Sequence, residues 1–328
     1  MSVGPLLQFA LVAGFVVAIG LAALTALLSR PVLSALDAQP PEARARTAWW
    51  LLVGPVAVGL SYAVVTVAIP SLMADTHSLA AACSSHEADW WHACVWHPLE
   101  RGASPWLWVG LGGLAVACAG LVIRAGQALY QARSHAHTLV RLARPVADVR
   151  VLDTNAPLAV ACGVGCGHVL LSSGLVEALP PEQLRVVLAH ERAHLANRDV
   201  RWRLVARLLS VLHFPGMRTR LLHALVLASE QRCDRVAADE VGSRVLVAET
   251  LLAVERLYAR RSPTPKHAFA AAFGTDFLHE RIQALLTAKP DGRMPVGTAL
   301  ALVVATLLIA SAGSIHHFTE FLTTLLVG

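Results

Sequence analysis

Two histidines four residues apart, with a glutamate beside the first, stand at His190-Glu191-Arg192-Ala193-His194. On a helix, residues four apart lie one above the other, so both imidazoles can reach one metal ion. Glu191 projects beside that face, where its carboxylate can take a proton from metal-bound water. The pattern predicts metal-assisted hydrolysis at a zinc ion, one per chain. A catalytic zinc takes three protein ligands and keeps one position open for water, so a third ligand must come from elsewhere. The run Glu230-Gln231-Arg232-Cys233-Asp234 offers two carboxylates four apart, again on one helical face. Glu230 would give zinc an oxygen, and Asp234 would accept the outer ring N–H of a ligand histidine and fix its tautomer. Two other readings stay open on the residues alone. The pair could form a solvated face with Arg232 and Arg235 as ion-pair partners, and Asp199 or Glu240 could supply the third ligand.

These residues need rigid elements to hold them. Pro180 and Pro181 mark a helix start, Glu182 sits in the first turn, and Leu184, Val187, Leu188 and Leu195 recur at helical spacing, so the histidines ride on a helix. Residues 221–238 read as a second helix. Upstream, residues 146–153 alternate and residues 156–161 and 168–171 are short apolar runs, which predicts a small sheet. Gly163, Gly165 and Gly167 do not satisfy the dinucleotide-binding spacing, and a hairpin turn is the expectation there. Cys162 and Cys166 share that turn, with no second Cys/His pair at zinc-finger spacing. Residues 124–144 read as a helix with Pro145 as its stop.

The remainder of the chain is unlike a soluble protein. Of 328 residues, 55% are hydrophobic and 15% charged, and the mean hydropathy is +0.56. Disorder and a disulfide-stapled miniprotein are excluded by these values. A span needs about 20 apolar residues, and residues 5–28, 49–74, 104–123 and 296–312 qualify. Arg30, Arg44 and Arg46 follow the first stretch, and Arg124, Arg133, Arg141, Arg144 and Arg150 follow the third. Residues 75–103 carry Asp75, Glu87, Asp89 and Glu100 against Arg101 alone. The positive-inside rule therefore puts the N-terminus and residues 75–103 outside and residues 124–294 in the cytoplasm. It also accounts for much of the net charge of +5, which argues against direct nucleic-acid binding. In the outer loop, oxidising conditions would allow a Cys83–Cys94 disulfide; irregular spacing makes a metal site of His77, His86, His92 and His97 the weaker reading.

Several runs together resemble the BlaR/MecR-type membrane metallopeptidases, to which the HtpX and CAAX-protease group is related. They are residues 169–179, Pro181-Glu-Gln-Leu-Arg185, the His190–His194 motif with Arg198-Asp199 after it, Glu230-Gln-Arg-Cys-Asp234 and His279-Glu-Arg-Ile282. The resemblance implies gluzincin chemistry: His190, His194 and Glu230 on zinc, Glu191 as general base, and Asp234 and Asp199 behind the ligands. It also implies that substrate backbone adds to an edge strand, mapped here to His168, Val169, Leu170, Leu171 and Ser172. The expected fold is mainly α and integral to the membrane. Three transmembrane helices fill residues 1–123, an α+β zincin-like domain with a small sheet fills 124–294, and a fourth helix and outer tail fill 295–328. The usual task of such proteins is to cleave a transcriptional repressor in a signalling response. Antibiotic-sensing members carry a penicillin-binding domain after the last span, and no length for one follows here. Covalent β-lactam binding is not expected either, since Pro263 and Leu286 stand where a Ser-x-x-Lys motif would need serine before Lys266 and Lys289. The expected setting is a bacterial cell membrane, with the bilayer and a protein substrate as partners and a homodimer compatible with the sequence. The alternatives are an HtpX-like quality-control protease and a non-catalytic membrane receptor.

Overall fold

The computed structural model describes residues 3–73, 105–162, 167–261 and 277–287. Helix α1 (Val3–Leu27) is joined through the short α2 (Ser29–Asp37) to α3 (Pro41–Met73). Within α1 and α3, Ala10–Leu27 and Pro41–Val64 are long and apolar enough to cross a membrane. The two helices pack through small residues. A Cβ placed on Gly14 would lie 2.5 Å from the Gly59 carbonyl oxygen and 2.9 Å from the Ala63 Cβ, and one on Gly59 would meet the Gly14 carbonyl and Ala18. Gly14 and Ala18 face Gly59 and Ala63, each pair four residues apart. This small-xxx-small spacing lets helices approach closely in an apolar solvent, where van der Waals contact replaces the hydrophobic drive.

Helix α4 (Pro105–Leu142) runs without a break from the third predicted span through the predicted inward helix and stops three residues before Pro145. The fourth predicted span and residues 75–103, with Cys83 and Cys94, lie outside the described residues.

Four short strands follow: β1 (Arg144–Val146), β2 (Val149–Leu152), β3 (Ala159–Cys162) and β4 (His168–Ser172). Their order is β1-β2-β4-β3. β3 and β4 form the expected antiparallel hairpin, with Cys162 opposite His168, while β2 and β4 run parallel, with Val149 opposite Val169. The edge-strand role expected of His168, Val169, Leu170, Leu171 and Ser172 therefore fails. β4 is an inner strand, hydrogen-bonded on both sides, and its last four residues are buried. In its place β3 is an edge, and it lies against the helix that carries the two histidines.

The helical remainder comprises α5 (Ser173–Ala178), α6 (Pro181–Asn197), α7 (Asp199–Leu209), a 3-10 turn (Ser210–Leu212), α8 (Pro215–Val241), α9 (Arg244–Arg261) and α10 (Leu278–Leu286). Ser172 caps α5 by accepting from the Leu175 N–H, and Pro181 opens α6. One apolar cluster joins α3 to α7 and α8, with Ala48, Leu52, Ala206 and Leu221 fully buried. A second joins α6, α8, α9 and α10 through Val186, Ala189, Ala237 and Val247. A third seats the sheet under α6 through Leu171, Leu175 and Val187. The membrane-length helices and the domain therefore share a core. Arg44 ties the same boundary, buried in α3 and donating to the Leu36 and Gln39 carbonyls and to Gln231 Oε1 of α8.

Candidate metal centre

Helices α6 and α8 pack side by side and bring the two motifs together. His190 and His194 present their Nε2 atoms to each other at 3.1 Å. Glu230 closes the group, with Oε2 3.4 Å from His190 Nε2 and Oε1 3.5 Å from His194 Nε2. Zinc ligands at about 2.0–2.1 Å in tetrahedral array stand roughly 3.3–3.4 Å apart, and separations of 3.1, 3.4 and 3.5 Å, the last two to different oxygens of Glu230, suit one ion shared by the three side chains. Glu230 is 2% exposed and Asp234 1%, which removes the solvated-face alternative.

The outer faces of the imidazoles explain why a cation belongs at the centre. His190 Nδ1 lies 2.9 Å from Asp234 Oδ1, and His194 Nδ1 lies 2.7 Å from Asp199 Oδ2. Ionised carboxylates only accept, so both Nδ1 atoms donate. In the neutral rings both Nε2 atoms are then bare lone pairs, aimed at one another and at a carboxylate. An all-acceptor cluster of this kind is stable only around a proton or a metal ion. The pKa directions say the same. Burial opposes charge on both rings, but Asp234 and Glu230 raise His190, and Glu230 and Asp199 raise His194 well above the usual range. Burial likewise opposes ionisation of Glu230, yet the two imidazoles and Arg281 hold it well below the carboxylate range.

Asp199 reaches His194 because the chain reverses at Arg198. That residue ends α6 in the left-handed region (φ 55°), its N–H donating to the Leu195 carbonyl, and the next residue swings back beneath the histidine. Asp234 is held in turn by a bidentate fork from Arg281, whose Nε lies 2.8 Å from Oδ2 and Nη2 2.6 Å from Oδ1. Arg203 donates to Glu230 Oε1 at 2.8 Å, and Arg232 donates to Asp199. Three arginines thus balance the three carboxylates that surround the imidazoles. Cys233 is fully buried, with Sγ 3.3 Å from His194 Nδ1, and burial pushes its thiol up.

Glu191 is buried, and its Oε2 has no hydrogen-bond partner among the described residues. An orphaned carboxylate oxygen inside a protein costs free energy unless a reactant uses it. Tyr258 of α9 lies in the same region. Burial pushes its hydroxyl up, the main chain of Ala159 in β3 bonds to it, and the charge of Glu191 is felt there. Sequence reasoning missed Tyr258 and Arg203. For Arg203 a signal existed, since it stands four residues after Asp199 and so on the same face of α7. Of the other residues, Arg281, in the run His279-Glu-Arg-Ile282, enters the site through Asp234, and Glu240, the alternative third ligand, lies at the far end of α8 and outside the cluster.

Residues 131–285, just under half of the chain, match the family model described as Peptidase family M48. Over 105 residues, 30% of this chain and 33% of the relative, the sequence is 36% identical to the protease HtpX homolog of Aeropyrum pernix. Over 58 residues, 17% of this chain and 19% of the relative, it is 43% identical to the protease HtpX homolog of Aquifex aeolicus. The chain thus spans a third or less of the length of these relatives. No solved structure gives a significant match. The likenesses are thus to peptidases of the M48 kind, and they fall on the part of the chain that carries the metal centre.

Proposed function

We propose that the chain is a membrane-anchored, zinc-dependent endopeptidase that cuts a protein near the cytoplasmic face of the bilayer. The observation that carries this reading is the triangle of acceptor atoms beside an unpartnered buried carboxylate. His190, His194 and Glu230 would hold one zinc ion, with Asp234 and Asp199 fixing the two imidazoles. Bound zinc would supply Lewis acidity, polarising a scissile carbonyl and making water nucleophilic near neutral pH. Glu191 Oε2, free of other partners, receives the proton released as water adds to that carbonyl and returns it to the departing amide nitrogen. Substrate backbone would pair with the edge of β3, next to α6, and the hydroxyl of Tyr258, within reach of the charge of Glu191, would steady the charge gained by the carbonyl oxygen. A non-catalytic receptor has no use for a buried Glu191 whose Oε2 has no hydrogen-bond partner among the described residues.

The four-span topology, with the N-terminus outside and the domain in the cytoplasm, rests on the arginine asymmetry together with the two membrane-length helices. Two substrate classes suit this placement. The BlaR/MecR resemblance favours a cytoplasmic transcriptional repressor. The HtpX names of the matched relatives favour damaged membrane proteins. Comparative proteomics of cells expressing the active chain or Glu191→Gln separates them. A single soluble regulator with a new terminus supports the first, and many shortened membrane proteins support the second. Identical terminal peptides in the two strains would refute the peptidase reading.

A further inference from the structure

We infer that α7, the 3-10 turn after it and the first turns of α8 form a docking surface for the headgroups of anionic lipids. The inference rests on the membrane-spanning reading of α1 and α3. Residues 198–220 contain Arg198, Arg201, Arg203, Arg207, Arg218 and Arg220 against one acid, Asp199. Asp199 is buried and engaged by His194 and Arg232, and Arg203 is engaged by Glu230. Arg198, Arg201, Arg207 and Arg220 are exposed.

Large apolar side chains are exposed among these arginines. Trp202 is 50% exposed, Phe214 54% and Val211 40%, with Trp50 of α3 at 60%. A surface facing water does not pair a cluster of this kind with arginines, whereas the headgroup region of a bilayer takes both.

The height of the surface is set by its attachment to α3. Trp49 Nε1 donates to the Trp202 carbonyl at 3.1 Å, and the two rings meet edge to face at 5.3 Å. His213 Nε2 lies 3.0 Å from the Leu51 carbonyl oxygen. Residues 49–51 begin the uncharged run of α3, just past Arg44 and Arg46, which is where a spanning helix leaves the headgroups for the hydrocarbon. The surface is therefore continuous with the span, and its charge suits phosphatidylglycerol or cardiolipin over zwitterionic lipid. The same helix carries Asp199 and Arg203, less exposed than Arg201 and Arg207, which hold His194 and Glu230. Lipid contact along α7 steadies the metal centre that this helix supports.

The test is hydrogen exchange of the full chain in nanodiscs of phosphatidylcholine, with and without a third of phosphatidylglycerol. Exchange in residues 199–214 should slow roughly thirtyfold with the anionic lipid, the scale expected of two arginines at a charged interface. A variant combining Arg201→Gln and Arg207→Gln should lose that slowing, while residues 10–27 and 50–64 stay protected. Equal exchange of residues 199–214 in both bilayers, with residues 10–27 and 50–64 protected, would overturn the docking surface alone. So would inorganic phosphate reproducing the slowing in phosphatidylcholine discs, since the arginines would then be reading free anions. If residues 10–27 and 50–64 gain no protection in either disc, the spanning reading fails and the docking surface falls with it.

Discussion

Replacing Asp234 by asparagine should damage the protein in two separable ways. Asp234 is 1% exposed and accepts both from His190 Nδ1 at 2.9 Å and from the Arg281 fork at 2.8 and 2.6 Å. The substituted side chain carries no charge, so the guanidinium of Arg281 is left buried with Glu230 as its remaining carboxylate, 3.4 Å away. Removing one partner of a buried pair costs about 3–5 kcal/mol. The asparagine amide also donates, which permits the tautomer with the proton on His190 Nε2 and blocks the lone pair that faces the metal position. Loss of such an orienting partner weakens metal binding about 10–100-fold. Adding Arg281→Met removes the stranded cation and should recover much of the stability, because an apolar side chain of similar length fills the space. It should not recover zinc affinity, because His190 still lacks the carboxylate that holds the proton on its Nδ1. Thermal unfolding in detergent and zinc competition against a chelator, run on both variants, read the two effects independently. Recovery of zinc affinity in the double variant would refute the orienting role of Asp234, and unchanged stability in Asp234→Asn would refute the buried pair. Asp199→Asn is the internal comparison. Its partner Arg232 is more exposed, at 19% for the side chain, so the stability loss should be smaller, about 1.5–3 kcal/mol, with a similar loss of zinc affinity.

Glu191→Gln should keep its zinc, since the three donors are untouched, and lose peptidase activity by about 10²–10⁴-fold; metal analysis of the purified variant together with turnover of an identified substrate checks both. Gly14→Leu drives a side chain into the Gly59 carbonyl and Ala63, contacts already at 2.5 and 2.9 Å for a bare Cβ. It should lower stability by about 1–3 kcal/mol or more, measured by unfolding in detergent, whereas Gly20→Leu, with nothing within 4 Å, should be close to neutral. Burial holds the His213 pKa below its ordinary 6.5, opposed by hydrogen bonds to the Leu51 and Leu52 main chain. The unfolded chain therefore binds the proton first as pH drops, so the stability from His213 is complete above about 6.5 and is lost as pH falls through the lower folded value. His213→Asn should flatten that acid limb, seen as a smaller change in melting temperature between neutral and mildly acidic buffer.

The parts of the site legible in the sequence are those whose geometry is local. His190 and His194 share a face because any helix puts them there, and the same holds for Glu230 and Asp234. Helix starts at Pro181 and the β3–β4 hairpin were likewise announced by residues within a few positions of the event. The inner position of β4 was not legible. It depends on β2 crossing over to lie parallel to β4, a pairing between residues 149–152 and 169–172 that no local pattern encodes. The apolar run Val169-Leu170-Leu171 did carry a hint, since a strand buried on both faces reads as continuous rather than alternating. The arginine partners were hidden for the same reason. Arg203 and Arg281 meet Glu230 from separations of 27 and 51 residues; the spacing of Arg203 from Asp199 and the run around Arg281 mark the two residues, but nothing local says which carboxylate each one meets.

The supports of the site come from farther along the chain than its donors. The three metal-facing atoms come from α6 and α8, yet each is oriented from outside that face: His194 and Glu230 by Asp199 and Arg203 of α7, His190 by Asp234 under the hold of Arg281 in α10. α7 in turn is fixed to α3 through Trp49 and through the buried cluster containing Leu52 and Ala206. A displacement of α3 therefore reaches His194 through two rigid links, Trp202 to Asp199 within one helix and Asp199 to the imidazole. The same span also reaches α8 directly, through Arg44 on Gln231 and through the buried cluster of Leu52 and Leu221, and α8 carries Glu230 and the Asp234 that holds His190. Anchoring this centre to a span thus couples all three donors to the membrane helices, His194 by way of α7 and the other two by way of α8.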